Sequence, residues 1–79
     1  MLTLYFKIGC PYCKKVQGFA EEGGIEFELK DIYSDPSIME ELIKRGGKKQ
    51  VPYLVDDEKG VEMYESDDII EYLNENYVH

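Results

Sequence analysis

The chain has 79 residues, two cysteines and a formal net charge of −8, with 43% hydrophobic and 33% charged residues. That length holds one domain, here residues 1–79, and the composition is that of a folded protein rather than a disordered one. The acidic balance argues against nucleic acid or an anionic membrane surface as partner, and no apolar run reaches membrane-spanning length.

The N-terminal "MLTLYFK" has neither a basic n-region nor a small-residue cleavage site, so it does not read as a signal peptide. A cytoplasmic location is the expectation, and there disulfides are transient or catalytic. Leu2 to Phe6 is short, apolar and aromatic, and reads as a buried strand. Pro11 to Glu22 carries Val16, Phe19 and Ala20 at helical spacing. Pro11 suits the first helical position, and Gly23-Gly24 ends the segment.

"IEFELK" alternates strictly, which predicts a strand over 25–30 with Ile25, Phe27 and Leu29 on one face. A second helix is expected over Pro36 to Arg45. Asp35 is its N-cap, and Met39, Leu42 and Ile43 form the buried stripe. Glu40 and Lys44 are spaced for a surface pair worth about 0.2–0.5 kcal/mol. Tyr53 to Val55 and Val61 to Tyr64 read as a hairpin turning over Asp56 to Gly60. A third helix starts near Ser66, with Asp67 and Asp68 in its first turn and Ile69, Ile70, Leu73 and Tyr77 facing inward. The order is βαβαββα, an α/β domain. Its first βαβ unit is parallel, and the hairpin adds antiparallel strands to make a four-stranded mixed sheet.

The chemistry lies in "KIGCPYCKK", Lys7 to Lys15. A disulfide closing so small a loop contributes only about 2 kcal/mol, against roughly 3 for a fifteen-residue loop. Structural zinc needs four ligands, and the chain adds only His79 to its two cysteines, so no metal site is expected within it. A redox pair fits better. Cys10 falls at the start of a predicted helix, where unpaired N–H groups and the helix dipole stabilise a thiolate, and Lys7, Lys14 and Lys15 add positive charge. Cys13, one turn on, is placed to attack a mixed disulfide on Cys10. A CxxC that follows a strand and opens a helix in a βαβ context is a redox signature.

"CPYC" in this setting resembles the dithiol glutaredoxins of the thioredoxin fold, and the resemblance spans essentially the whole chain. It implies a glutathione-dependent thiol–disulfide oxidoreductase, with Cys10 as nucleophile, Cys13 as resolving thiol and a Cys10–Cys13 redox disulfide. "KKQVPYL" matches the family's Thr-Val-Pro segment, with Gln50 where threonine is usual. The resemblance implies a cis Pro52 and a Val51 backbone that pairs with the cysteinyl part of glutathione. "YESDDIIEYL" is similar to the N-terminal domain of glutathione transferases, whose Glu/Gln-Ser pair binds the γ-glutamyl moiety. Ser66 and the first-turn N–H groups would hold its carboxylate, and Asp67 its amino group. As a simpler alternative, Ser66 is only the helix N-cap. Lys7 and Lys48 are the candidates for the glycyl carboxylate, and Tyr12 would flank the peptide.

By the same resemblance the chain holds no permanent cofactor. It uses glutathione as reductant and co-substrate, acts on disulfide-containing or glutathionylated proteins, and is a monomer. Three alternatives stand beside this reading: a redoxin reduced by a flavoenzyme of the thioredoxin-reductase type, a non-catalytic glutathione-binding module, and a dimer sharing an iron–sulfur cluster.

Overall fold

The computed structural model describes residues 1–78, and His79 lies outside them. The strands are β1 (Leu2–Phe6), β2 (Glu28–Asp31), β3 (Tyr53–Asp56) and β4 (Val61–Met63). The helices are α1 (Pro11–Glu22), α2 (Pro36–Gly46) and α3 (Ser66–Tyr77). One sheet runs in the order β2-β1-β3-β4. β1 pairs with β2 in parallel, and the two remaining pairings are antiparallel. This is the expected βαβαββα mixed sheet.

Alternation along the strands sorts side chains to two faces. Leu2 and Leu4 of β1 and Leu54 of β3 pack with Val16 of α1 and with Ile69 and Leu73 of α3. On the opposite face Tyr5, Tyr53 and Val55 pack with Ile32 and with Leu42 of α2. β1 is thus covered on both faces, which is why its sequence is apolar almost throughout.

Helix ends follow local chemistry. Asp35 accepts from the Ser37 N–H at 2.9 Å as the N-cap of α2. Gly47, at φ +84, closes that helix by donating its N–H to the Ile43 carbonyl at 2.7 Å. A side chain at Gly46 would overlap the Tyr64 hydroxyl. That hydroxyl donates to the Lys48 carbonyl and accepts from the Lys48 N–H, which fixes the loop leading to β3.

Four local expectations are corrected. β2 begins at Glu28 rather than Ile25. Ile25 and Phe27 are half-buried against the first core without strand pairing, while Leu29 is 52% exposed. Leu29 aligns with Leu4, but it stands on the edge strand and opens onto a cleft beside Ala20 and Glu21 of α1. In α2 the buried stripe is Ile38, Met39 and Leu42, and Ile43 points to solvent; the stripe is rotated by about one residue from the expected one. No Glu40–Lys44 pair forms among the described residues. The neighbouring Glu41 instead holds Lys30 at 2.8 Å and accepts from the Tyr5 hydroxyl, while Arg45 reaches Glu62 at 3.2 Å. Cross-element partners are at hand in the fold that a helix-surface rule does not see.

The fourth correction is Asp56. It belongs to β3 rather than the turn, and it is 1% exposed. Its carboxylate accepts from the hydroxyls of Tyr72, at 2.6 Å, and Tyr77, and from the N–H groups of Glu58 and Lys59. Burial alone would raise its pKa, but these hydrogen bonds outweigh it and hold the carboxyl below its ordinary value. One buried anion therefore ties the C-terminal half of α3 to the β3–β4 hairpin.

Asp56→Asn keeps the shape but removes the charge and one acceptor oxygen. It should lower the unfolding free energy at neutral pH by about 1–3 kcal/mol in urea titrations. Because the folded-state pKa is depressed, the stabilisation is present above the unfolded value of about 3.9 and is lost as pH falls through the folded value. The gap between wild type and Asp56→Asn should therefore narrow in acid. A gap that stays constant with pH would contradict this role.

Candidate active site

Three loops converge because of strand direction. β1 and β3 are antiparallel, with Tyr5 opposite Tyr53, so the exit of β1 and the entry of β3 lie at one end of the sheet. β4 is antiparallel to β3, with Met63 opposite Leu54, so its exit lies at that end as well. The exit of β1 carries Lys7 to Cys10, the entry of β3 carries Gln50 to Pro52, and the exit of β4 carries Glu65 to Asp67.

At the first loop, Gly9 sits at φ +83, a conformation that a side chain would strain. Cys10 follows in extended conformation as the N-cap of α1, with Pro11 in the first helical turn. The Cys13 N–H points at the Cys10 sulfur, 3.1 Å away. It is one of the donors that a helix start leaves without a backbone partner. The Lys14 N–H donates to the Cys10 carbonyl at 3.1 Å. Both thiols are free and buried, Cys10 at 4% and Cys13 at 1% exposure.

Their surroundings differ. Burial, then a hydrogen bond with Cys10, pushes the Cys13 thiol up to about 12, against an opposing backbone hydrogen bond and charge from Lys7. Cys13 is thus held as a protonated thiol at neutral pH. Of the two cysteines, Cys10 is the one that lines an open cavity.

At the second loop, the Val51–Pro52 peptide is cis. Pro52 is buried and Val51 half-buried. At the third, α3 begins at Ser66, and the residue at its N-cap is Glu65, whose side chain makes no capping bond. The cap reading of Ser66 is therefore corrected: it is the first helical residue, and it is 7% exposed. Glu65 stands at φ 68, ψ 116, a backbone region that side chains rarely adopt and that costs about 1–3 kcal/mol. The N–H groups of the first helical turn have neither a side-chain cap nor an intrahelical partner.

Two cavities open between these loops, sharing a wall of Tyr12, Gln50 and Val51. The first, about 410 Å³, adds Pro52, Glu65, Ser66 and Asp67. The second, about 360 Å³, adds Lys7, Gly9, Cys10, Pro11, Ile32, Tyr33 and Lys49. They have opposite polarity: two carboxylates beside a helix N-terminus line one, and two ammonium groups line the other.

The structure thus gathers Cys10, Lys7, Tyr12, Val51, Pro52, Ser66 and Asp67 around one cleft, with Cys13 just beneath. Lys48 lines neither cavity. Its ammonium lies 5.6 Å from the centre of the Tyr64 ring, and Lys49 faces the cleft in its place. Asp67 is already paired, with Lys15 at 2.6 Å. In the sequence Gln50 is only a departure from the usual threonine, yet it borders both cavities and donates to Glu65 at 3.2 Å. Lys49 and Tyr33 also escaped the sequence reading. The choice between adjacent lysines depends on how the chain leaves Gly47, and an exposed tyrosine after a strand carries no local signal.

A protein-family profile described as glutathione S-transferase, N-terminal domain, matches residues 4–79. Glutaredoxin 3 of Escherichia coli is 32% identical over 53 residues, which cover 67% of this chain and 64% of that protein. A delta-class glutathione transferase of Nilaparvata lugens superposes over 100% of this chain and 37% of its own, with TM-score 0.83 and 30% identity. A thioredoxin-like protein matches almost end to end, 95% of this chain and 96% of that one, with TM-score 0.80; at 23% identity it speaks to the fold alone. The chain therefore spans just under two thirds of the curated relative it matches and little more than a third of the transferase. By its sequence match and its sheet order, the chain has the thioredoxin-like fold and belongs to the glutathione S-transferase N-terminal domain family.

Proposed function

We propose that the chain is a glutathione-dependent thiol–disulfide oxidoreductase that works through Cys10 and Cys13. The observation that carries this is the thiol pair at the start of α1, with Cys10 lining an open cavity and Cys13 buried at 1% exposure behind it. Glutathione lies across the shared wall of the two cavities. Its γ-glutamyl carboxylate meets the free N–H groups of α3 and Ser66, and its ammonium meets Glu65 and Asp67. Its cysteinyl unit pairs with the Val51 backbone, and its glycyl carboxylate turns toward Lys7.

The Cys10 thiolate attacks the glutathione sulfur of a glutathionylated protein. A Cys10–glutathione disulfide forms, and the protein leaves as a thiolate, which takes up a proton. A second glutathione, as thiolate, then attacks the glutathione sulfur of that disulfide. Oxidised glutathione leaves and the Cys10 thiolate returns. With a protein disulfide, Cys10 instead forms a mixed disulfide with the protein. Cys13 gives up its proton and attacks the Cys10 sulfur, the protein leaves as a dithiol, and two glutathiones reduce the Cys10–Cys13 bond, yielding one oxidised glutathione. Pairing within the chain keeps the second thiol close at every step, at high effective concentration.

One specific observation favours a second reading, that of a glutathione-binding domain without turnover. It is the Glu65–Ser66 entry to α3 together with the match to the leading part of transferases. Two experiments separate the readings.

Native protein treated with iodoacetamide at neutral pH should label at Cys10 well before Cys13, because Cys13 is protonated and 1% exposed. Peptide mapping by mass spectrometry reads this directly, and equal labelling would contradict the assigned roles. In reduction of a small glutathione mixed disulfide by glutathione, Cys10→Ser should fall to background. Cys13→Ser should stay within about tenfold of wild type, since that route needs one thiol. Equal loss from both would sink the single-thiol route. Turnover with a thioredoxin reductase but none with glutathione would favour the redoxin alternative. Binding of glutathione with no turnover from any reductant would leave the second reading standing.

A further inference from the structure

The proposed glutathione contacts leave part of the second cavity unused. Its far wall is Tyr33, 63% exposed, with the Lys49 ammonium 5.7 Å from the centre of the tyrosine ring. Ile8, between Lys7 and Gly9 on the Cys10 loop, is 84% exposed, the most exposed large hydrophobic residue described. Lys14 is exposed in the first turn of α1. Five of the nine basic residues, Lys7, Lys14, Lys15, Lys48 and Lys49, occur in the two segments flanking Cys10 and Pro52. Among the described residues, six lysines have no carboxylate within ion-pair distance: Lys7, Lys14, Lys48 and Lys49 lie in these two segments and Lys44 and Lys59 elsewhere, whereas Lys15, Lys30 and Arg45 are each paired. A chain of net charge −8 thus places four of its six unpaired lysines, with the exposed Ile8 and Tyr33, in or next to the loops that flank Cys10 and Pro52.

We propose that this rim of Ile8, Tyr33, Lys14 and Lys49 is a docking surface for the target protein, and that it selects target cysteines flanked by acidic residues and an apolar side chain. The inference rests on the glutathione-dependent reading above, and it names the half of the mixed disulfide that glutathione does not occupy. Long-range charge opposes an acidic partner, since the body of the molecule is strongly negative. That repulsion is screened beyond about 8–10 Å at physiological salt, whereas a carboxylate at the rim meets the Lys49 ammonium directly, with Lys7 lining the same cavity. The opposition adds selectivity of place: an acidic segment is repelled by the net negative surface and attracted at the rim, so it arrives beside Cys10. Tyr33 and Ile8 supply apolar area for the flanking side chain and exclude water from the ion pairs.

The test uses three peptides of one sequence, each glutathionylated at a single cysteine, with Asp/Glu, Asn/Gln or Lys flanks. Glutathione-dependent release of each is followed as kcat/KM in wild type, Lys49→Glu and Lys44→Glu. Lys44 lies on α2 among Ser37, Glu40 and Glu41, so its reversal changes net charge as Lys49→Glu does but at a distant place. The readout is the acidic-to-basic ratio within each protein, which cancels any change in basal rate. Wild type should favour the acidic peptide by about three- to tenfold at low salt, the effect of one to three exposed ion pairs. The ratio should shrink as ionic strength rises past about 0.15 M. Lys49→Glu should erase or invert it, and Lys44→Glu should leave it unchanged. Equal turnover of all three peptides would overturn the docking surface while sparing the glutathione-dependent reading. So would a ratio that Lys44→Glu shifts as far as Lys49→Glu. No release of any peptide would overturn both.

Discussion

The antiparallel pairing of β1 with β3 is the constraint on which the site depends. Tyr5 opposite Tyr53 fixes the register, and the register fixes which loops share an end of the sheet. Slip it by one residue and every buried leucine of β1 trades faces with a tyrosine or threonine. The two packed faces prevent this: Leu2 and Leu4 belong under α1 and α3, and Tyr5 belongs over α2. Core packing therefore sets the position of Cys10 relative to Val51 and Pro52, and one core residue, Ile32, reaches the wall of the second cavity.

The helices complete the chemistry that the register sets up. α1 starts at Pro11 behind its N-cap Cys10, and α3 starts at Ser66, so both helix N-termini, with their unpaired donors, open onto the same cleft. One directs a donor at a sulfur, and the other leaves its donors free for a carboxylate. The anchorage of α3 lies at its opposite end, where Tyr72 and Tyr77 meet the buried Asp56. Strain at Glu65 and the missing side-chain cap are tolerated at the site because buried contacts hold the helix elsewhere.

Local patterns carried much of this. β1, α1 and the start of α3 were legible because strand runs, Pro11 and the glycine pairs are short-range signals. The Cys10–Cys13 motif was legible for the same reason. The misread features all depend on partners distant in sequence. Strict alternation at Ile25 to Lys30 does not say where pairing begins, since that depends on how much of β1 lies alongside. Asp56 looked like a turn residue because two of its donors, Tyr72 and Tyr77, are 16 and 21 residues away. Lys48 and Lys49 cannot be told apart without knowing that Tyr64 reaches across to hold the Lys48 backbone.

In the proposed function, Cys10, the cis-proline loop and the N-terminus of α3 form one glutathione site. The most direct test is a titration of the reduced, isotope-labelled protein with S-methylglutathione, followed by amide chemical shifts. This ligand cannot form a disulfide, so it reports binding alone. A single glutathione site gives saturable shifts at the amides of Tyr12, Val51, Ser66 and Asp67, with Ile38 to Leu42 on the opposite face of the sheet unmoved. Saturation without shifts at Val51 and Ser66, or shifts centred on α2, would contradict it.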